Sequence, residues 1–422
     1  MRPFSRCCTA VAKKSALLPI FLIVLVDILG FTIVIPLLAF YAEEFGASPL
    51  VATLLVSVYA VCSLISTPII GRLSDQYGRK RLLMISQFGT CAGFVMLAAS
   101  SSLWMVFVGR ILDGFTAGNL SIAQAYISDH TAPENRAKAF GVIGIAFGIG
   151  FMFGPGLGGW LGDAYGHYLP FLVAACLSAL SILCTYLLLS SEKPPQQGEA
   201  ADGPRGRRPS AFDWRIYAEY FGRPELRALY FQFFMFSFAF SLFFAGFALF
   251  AKHNPAFQWG SDEVGYLFTY SGFLGIILQG GLLGRMVKKF GELKLTVFAF
   301  VASAIAYALV GFAETLVMIV IASTISSFGH GILRPVLTAR LTHAVGKHEQ
   351  GVVLGISGSL GSVAMALAPP TGGFMLEDHH LLAWALIPAG VSVIGLILTL
   401  VWSGVAARPA SPLPEARLHS DP

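Results

Sequence analysis

The chain alternates long apolar runs with short polar intervals. A helix needs about 20 apolar residues to cross a bilayer, and runs of that length recur about twelve times, near 17–41, 50–71, 82–101, 103–127, 138–162, 168–190, 227–250, 263–284, 295–312, 315–340, 351–376 and 381–403. The pattern predicts an all-α transmembrane fold of twelve helices. The first run, from Ala16 to Phe40, exceeds the roughly 7–15 apolar residues of a signal peptide and ends without a small-residue cleavage site. It is expected to stay as a helix.

Composition agrees with the pattern. Of 422 residues, 55% are hydrophobic and only 12% charged, and the mean hydropathy is +0.71, outside the balance of a soluble domain. Charge placement then sets the expected topology. With helices alternating and both termini cytoplasmic, inner segments hold 25 of the 28 Lys and Arg. Lys252 is alone outside, whereas Glu43, Glu44, Asp262, Glu263, Glu377 and Asp378 all fall there. Basic residues collect on the cytoplasmic side of membrane proteins, so the net charge of +5 reads as topology. Nucleic acid is not an expected partner. The six cysteines, Cys7, Cys8, Cys62, Cys91, Cys176 and Cys184, show no CxxC spacing and predict neither disulfide framework nor metal site.

The organisation is bipartite. Residues 1–16 read as a cytoplasmic N-terminus, 17–190 as one six-helix bundle, 191–226 as a Pro-, Gly- and charge-rich cytoplasmic linker, 227–403 as a second bundle, and 404–422 as a disordered tail. Within the linker, DWRIYAEYFGRPEL predicts a short amphipathic helix lying on the membrane. Two internal echoes relate the halves. GRLSDQYGRK at Gly71 returns as GRMVKKFGEL at Gly284, and GPGLGGWLGD at Gly154 returns as APPTGGFMLED, at offsets of 213 and 214 residues. The bundles are therefore expected to be pseudo-symmetric, as in a duplicated transporter.

GRLSDQYGRKR, Gly71 to Arg81, concentrates five charges in eleven residues between two apolar runs. Gly71 and Gly78 permit tight backbone geometry, Asp75 can pair with Arg79, and Lys80 and Arg81 suit anionic headgroups. The stretch closely resembles the loop between helices two and three of the major facilitator superfamily, G-x-L-x-D-x-x-G-R-K/R. That resemblance implies a cytoplasmic gate in which Asp75 and Arg79 hold the halves together in the outward-open state. FVGRILDGF, with Arg110 and Gly114, resembles the superfamily's R-x-x-x-G pattern in helix four. Gly154, Pro155, Gly158 and Gly159 resemble the G-P-x-x-G-G antiporter motif of its drug/proton branch, which implies efflux. Within that branch VDILGFTIVIPLL, with Asp27 and Pro36, and AFQWGSDEVG look most like tetracycline/proton antiporters. Those carry an acid in helix three and a histidine in helix eight, where this chain has Gly93 and Gly275.

Proton coupling needs a group that gains and loses a proton as its surroundings alternate. Asp27 and Asp113 are the acids deep inside spans. Asp27 is expected to carry the proton or contact a cationic cargo, or else to serve as a structural hydrogen-bonding partner. Asp113 and Arg110, three residues apart, are expected to form a relay or a structural ion pair. His330 and Arg334 lie one turn apart: the histidine could join the relay or simply pack, and the arginine could attract an anionic group or snorkel. Gln124, Gln232 and Gln279 could orient a ligand or fasten helices. The Phe-rich segment Leu229–Phe250 suits a flat lipophilic cargo.

The expectation is a monomeric, multi-pass protein of a bacterial inner membrane, exporting amphipathic molecules such as tetracycline-like compounds against protons. Its partners would be the cargo, protons and the lipid bilayer. It would use no cofactor, drawing on a proton gradient. The alternatives are a metabolite or organic-anion transporter of the same fold and a non-transporting receptor or scaffold. No phosphate loop, metal-ligand cluster or nucleophile motif points to an enzyme.

Overall fold

The computed structural model describes residues 17–130, 136–189, 214–346 and 349–402. The expected N-terminal segment, most of the linker and the C-terminal tail lie outside them. Among the described residues every regular element is helical: α1 Leu17–Glu44, α2 Pro49–Tyr77, α3 Arg79–Ala98, α4 Leu103–Phe115, α5 Asn119–His130, α6 Arg136–Tyr165 and α7 Tyr168–Leu188. Then follow α8 Trp214–Gly222, α9 Pro224–His253, α10 Ser261–Ile277, α11 Leu283–Phe290, α12 Glu292–Gly311, α13 Leu316–His343, α14 Gln350–Glu377 and α15 Leu381–Val401. Helix α8 occupies the stretch expected to be amphipathic.

Eleven of these segments are long and apolar enough to cross a membrane as continuous helices. The fourth crossing, expected as one run, is instead broken at Thr116–Gly118 into α4 and α5. Backbone groups freed inside a bilayer need partners, and neighbouring hydroxyls supply them. Ser66 Oγ donates to the Gly114 carbonyl (2.8 Å), Thr67 Oγ1 to that of Ala117 (2.9 Å) and Ser86 Oγ to that of Thr116. The Gly118 N–H in turn donates to Ser86 Oγ (3.0 Å). The eighth crossing bends through a π-helical turn, Leu278–Leu282, where adjacent Gly280 and Gly281 weaken the α-helix.

Both sequence echoes have structural counterparts. Gly78 and Gly291 each join two helices with φ of 94° and 78°, a conformation that strains any side chain. Gly159 and Gly373 each sit where the halves meet. A Cβ on Gly159 would lie 3.1 Å from Asp262 Cα on α10, and one on Gly373 would lie 2.8 Å from Leu50 Cα on α2. The halves thus touch along two related seams, α6 with α10 and α2 with α14. Small residues allow this approach where lipid offers helices no hydrophobic drive to associate.

The seams close one end of the molecule and leave the other apart. At the end opposite Leu17 and Trp402, Lys252 Nζ of α9 pairs with Glu43 Oε2 of α1 at 2.6 Å, and Ser261 Oγ donates to the Gly159 carbonyl at 3.1 Å. Contacts continue to Gly148 and Ile276, 3.0 Å from an added Cβ. Beyond them Gly71, Gly144, Gly280 and Gly355 have no heavy atom within 4 Å of a Cβ. The end that carries Leu17 and Trp402 is open.

Candidate functional site

Helices α1, α3, α4, α5 and α7 bring the N-terminal candidates together. Arg110 and Asp113 are 2% and 3% exposed and paired, Nη1 to Oδ2, at 2.8 Å, with the guanidinium 4.4 Å from the Tyr59 ring centroid. Two glycines make room. A Cβ on Gly114 would lie 2.8 Å from the Tyr59 carbonyl oxygen, and one on Gly93 would lie 3.0 Å from Asp113 Cβ. The missing side chain at position 93 is therefore what lets α3 close on α4 beside the acid.

Asp27 is half-buried, yet its Oδ1 is sealed from solvent and has no hydrogen-bond partner. The side chains of Gln87, Asn119 and Ser181 face its carboxyl, and Asp113 stands close enough for the two charges to interact. Gln87 Nε2 donates to Ser181 Oγ at 2.7 Å. Asn119 is the first residue of α5, so the acid faces the end of a broken helix. Discontinuous helices of this kind recur at the sites of membrane transporters. Gln87, Asn119 and Ser181 were overlooked in the sequence. Their signal was present, since amides are as out of place in apolar runs as the glutamines singled out instead.

The glutamines and His330 divide. Gln232 is 1% exposed and its Oε1 accepts from Arg340 Nη1 at 3.1 Å, which also reaches Thr296 Oγ1 at 3.2 Å. It fastens helices of the C-terminal half. Gln124 and Gln279 are exposed, the latter on the π-helical turn. His330 has both ring nitrogens engaged, Nε2 with the Tyr307 hydroxyl and Nδ1 with Ser326 Oγ at 3.2 Å. Phe240 packs edge-on at 4.9 Å. It is a packed histidine in this conformation. Arg334, one turn on, is exposed, with its guanidinium 5.9 Å from the Phe147 centroid on α6 across the gap.

At the open end Arg79 pairs with Asp75, with Asp129 (2.9 Å) and with Ser74 Oγ (2.6 Å). All of these partners lie in the N-terminal half. Gly71 has open space beside it, because this end of the halves is apart. The stretch Gly154–Gly159 lies at the closed end. An added Cβ on Gly158 would meet the Ile33 carbonyl oxygen at 2.6 Å, and one on Gly154 would meet Thr32 Cβ at 2.7 Å. The Pro155 carbonyl faces Gly265 of α10. Helix α6 is wedged between α1 and the other half.

The pattern of two six-crossing halves meeting at α2–α14 and α6–α10 agrees with the comparison to known families: the Major Facilitator Superfamily model matches residues 20–254 and 252–420. The chain belongs to that superfamily. It is 30% identical over 367 residues to the class C tetracycline resistance protein of Escherichia coli, covering 85% of this chain and 88% of that protein. It is 28% identical over 404 residues to multidrug resistance protein 1 of Bacillus subtilis (strain 168), covering 94% and 99%. The crystal structure of the human organic anion transporter MFSD10 (TETRAN) shares the fold, with a TM-score of 0.69 and 22% identity over 91% of this chain and 98% of that one. The protein is an integral multi-pass membrane transporter and not an enzyme.

Proposed function

We propose that this transporter is a proton-coupled exporter of amphipathic small molecules, tetracycline-like compounds among them, working by alternating access. The observation that carries the reading is the unpartnered Oδ1 of Asp27, in a polar cluster with Asn119 at the start of a broken helix. A sealed carboxylate oxygen without a donor is satisfied by a proton, which suits a group that gains and loses one during the cycle. The charge pattern supports placing the termini in the cytoplasm, which would make the observed state inward-open, and the compact loops fit a bacterial inner membrane. Likeness to resistance proteins along most of the chain supports export as the direction.

The test is flux in proteoliposomes under an imposed pH gradient, wild type against Asp27→Asn, with a panel of tetracyclines and other lipophilic drugs. Gradient-driven uptake in the wild type that is abolished in the variant is the expected result. Undiminished gradient-driven flux in correctly inserted Asp27→Asn would remove Asp27 from the coupling mechanism.

A further inference from the structure

Of the arginines in the helices of the described residues, Arg110 and Arg340 are held by protein oxygens. Arg110 has Asp113 at 2.8 Å. Arg340 has Gln232 and Thr296 at 3.1 and 3.2 Å. Arg334 has neither: no carboxylate among the described residues lies within 4.0 Å, and the Phe147 ring centroid stands 5.9 Å from its guanidinium. It stands nine residues before α13 ends at His343, about 13 Å by the helical rise, too deep for an idle charge.

Its surroundings are specific. Pro335, next in the chain, has no N–H to offer the Gly331 carbonyl, which loosens α13 at this point. Aromatic rings line the approach from both halves. Phe147 is followed on α6 by Phe151, which meets Phe244 of α9 at 5.8 Å, and Phe244 stacks on Phe240 at 5.5 Å. All four rings are half-buried, so each leaves part of its surface uncovered by protein.

We infer that Arg334 is a cargo-binding residue that pairs with an anionic group, a carboxylate or sulfonate, on a flat aromatic molecule. The planar guanidinium matches such a group through paired hydrogen bonds, and the rings accept the apolar body. The assignment rests on the transporter reading above and adds its substrate class. It also explains how cargo licenses closure. Drawing the halves together dehydrates the gap, which an unpaired guanidinium opposes and an anion-paired one permits.

The test compares three probes that differ in headgroup charge: naphthalene-2-carboxylate, its methyl ester and 2-naphthylmethylammonium. Binding to the purified full-length protein is measured by equilibrium dialysis, for wild type, Arg334→Gln and Arg334→Lys, each checked for an unchanged melting temperature. The carboxylate is expected to bind about tenfold to a hundredfold more tightly than the other two, the scale of a charge-assisted hydrogen bond. Arg334→Gln erases that preference and Arg334→Lys keeps part of it. An equal affinity for all three probes in the wild type, or the same anion preference in Arg334→Gln, overturns the assignment. Dialysis involves no gradient, so the two readings fail separately. Anion preference without pH-driven flux of the carboxylate in proteoliposomes sinks proton coupling and keeps the Arg334 assignment, whereas flux of only the neutral or cationic probe, indifferent to Arg334→Gln, does the reverse.

Discussion

Replacing Gly265 by alanine tests whether glycine contacts hold the closed end. The added Cβ would stand 2.5 Å from the Pro155 carbonyl oxygen and 3.2 Å from Gly159 Cα. Both are backbone atoms of the facing helix, so neither can rotate aside. Ordinary contact needs roughly 1 Å more, and overpacking of this kind costs about 1–3 kcal/mol. The alanine also favours the helix by up to about 1 kcal/mol, but it does so in every conformation and cancels from the comparison between states. The penalty falls only on the state in which α6 and α10 touch. At about 1.4 kcal/mol per tenfold, the balance moves away from the observed state by roughly fivefold to 150-fold. Spin labels at Ser101 and Glu314, exposed in loops of opposite halves at the closed end, would report it as growth of a longer-distance population in pulsed dipolar measurements on an otherwise cysteine-free protein. Gly144→Ala is the control, since nothing lies within 4 Å of that position on the same helix α6. If Gly265→Ala folds stably and leaves the distance distribution as in the control, backbone contact is not what holds the end shut.

Asp113→Asn strands the buried Arg110 charge and is expected to destabilise the protein by about 3–5 kcal/mol, read as a lower melting temperature in detergent, while Arg110→Met combined with Asp113→Leu recovers most of the loss. A double variant no more stable than the single one would refute that account. Helix α8 is docked through Glu349, which accepts from Arg223 Nη2 at 2.9 Å and the Tyr220 hydroxyl at 3.1 Å. Burial alone would raise the Glu349 carboxyl, but the hydrogen bond and charge of Arg223 hold it below its ordinary value. A depressed carboxylate stabilises above its unfolded value, so docking is present at neutral pH and fades as pH falls through and below about 4. Hydrogen exchange across Trp214–Gly222 should rise on acidification, and Glu349→Gln should show the raised exchange already at neutral pH.

The crossings were legible because a bilayer demands an apolar run of fixed length for each one. The break at Thr116–Gly118 was not. Residues 103–127 carry a sufficient run, and what permits the break is hydroxyls on α2 and α3 that no local pattern places nearby. The charged site residues stood out for the same physical reason that they are rare: Asp27, Arg110 and Asp113 are too costly in a span to be incidental, and all three belong to the N-terminal half's polar cluster. Neutral amides are cheaper, and their role depends on helix rotation. Gln232 thus points into its own bundle at Arg340, while Gln87 and Asn119, less conspicuous in sequence, face Asp27.

The charged loop that marks the family has a different standing from the glycine seams. In the observed state Arg79 already has Asp75, Asp129 and Ser74 as partners within its own half. Closing this end onto the other half would therefore exchange ion pairs, with little net creation of them, and exposed pairs are each worth at most about 1 kcal/mol. The glycine seam at the opposite end is likewise a contact of small residues, close enough that a single methyl group is expected to disturb it. Alternation requires two states within a few kcal/mol of each other. A loop that exchanged its ion pairs between states, set against a seam without large side chains to extract, would meet that requirement, whereas a latch left unpaired on opening would trap the protein closed.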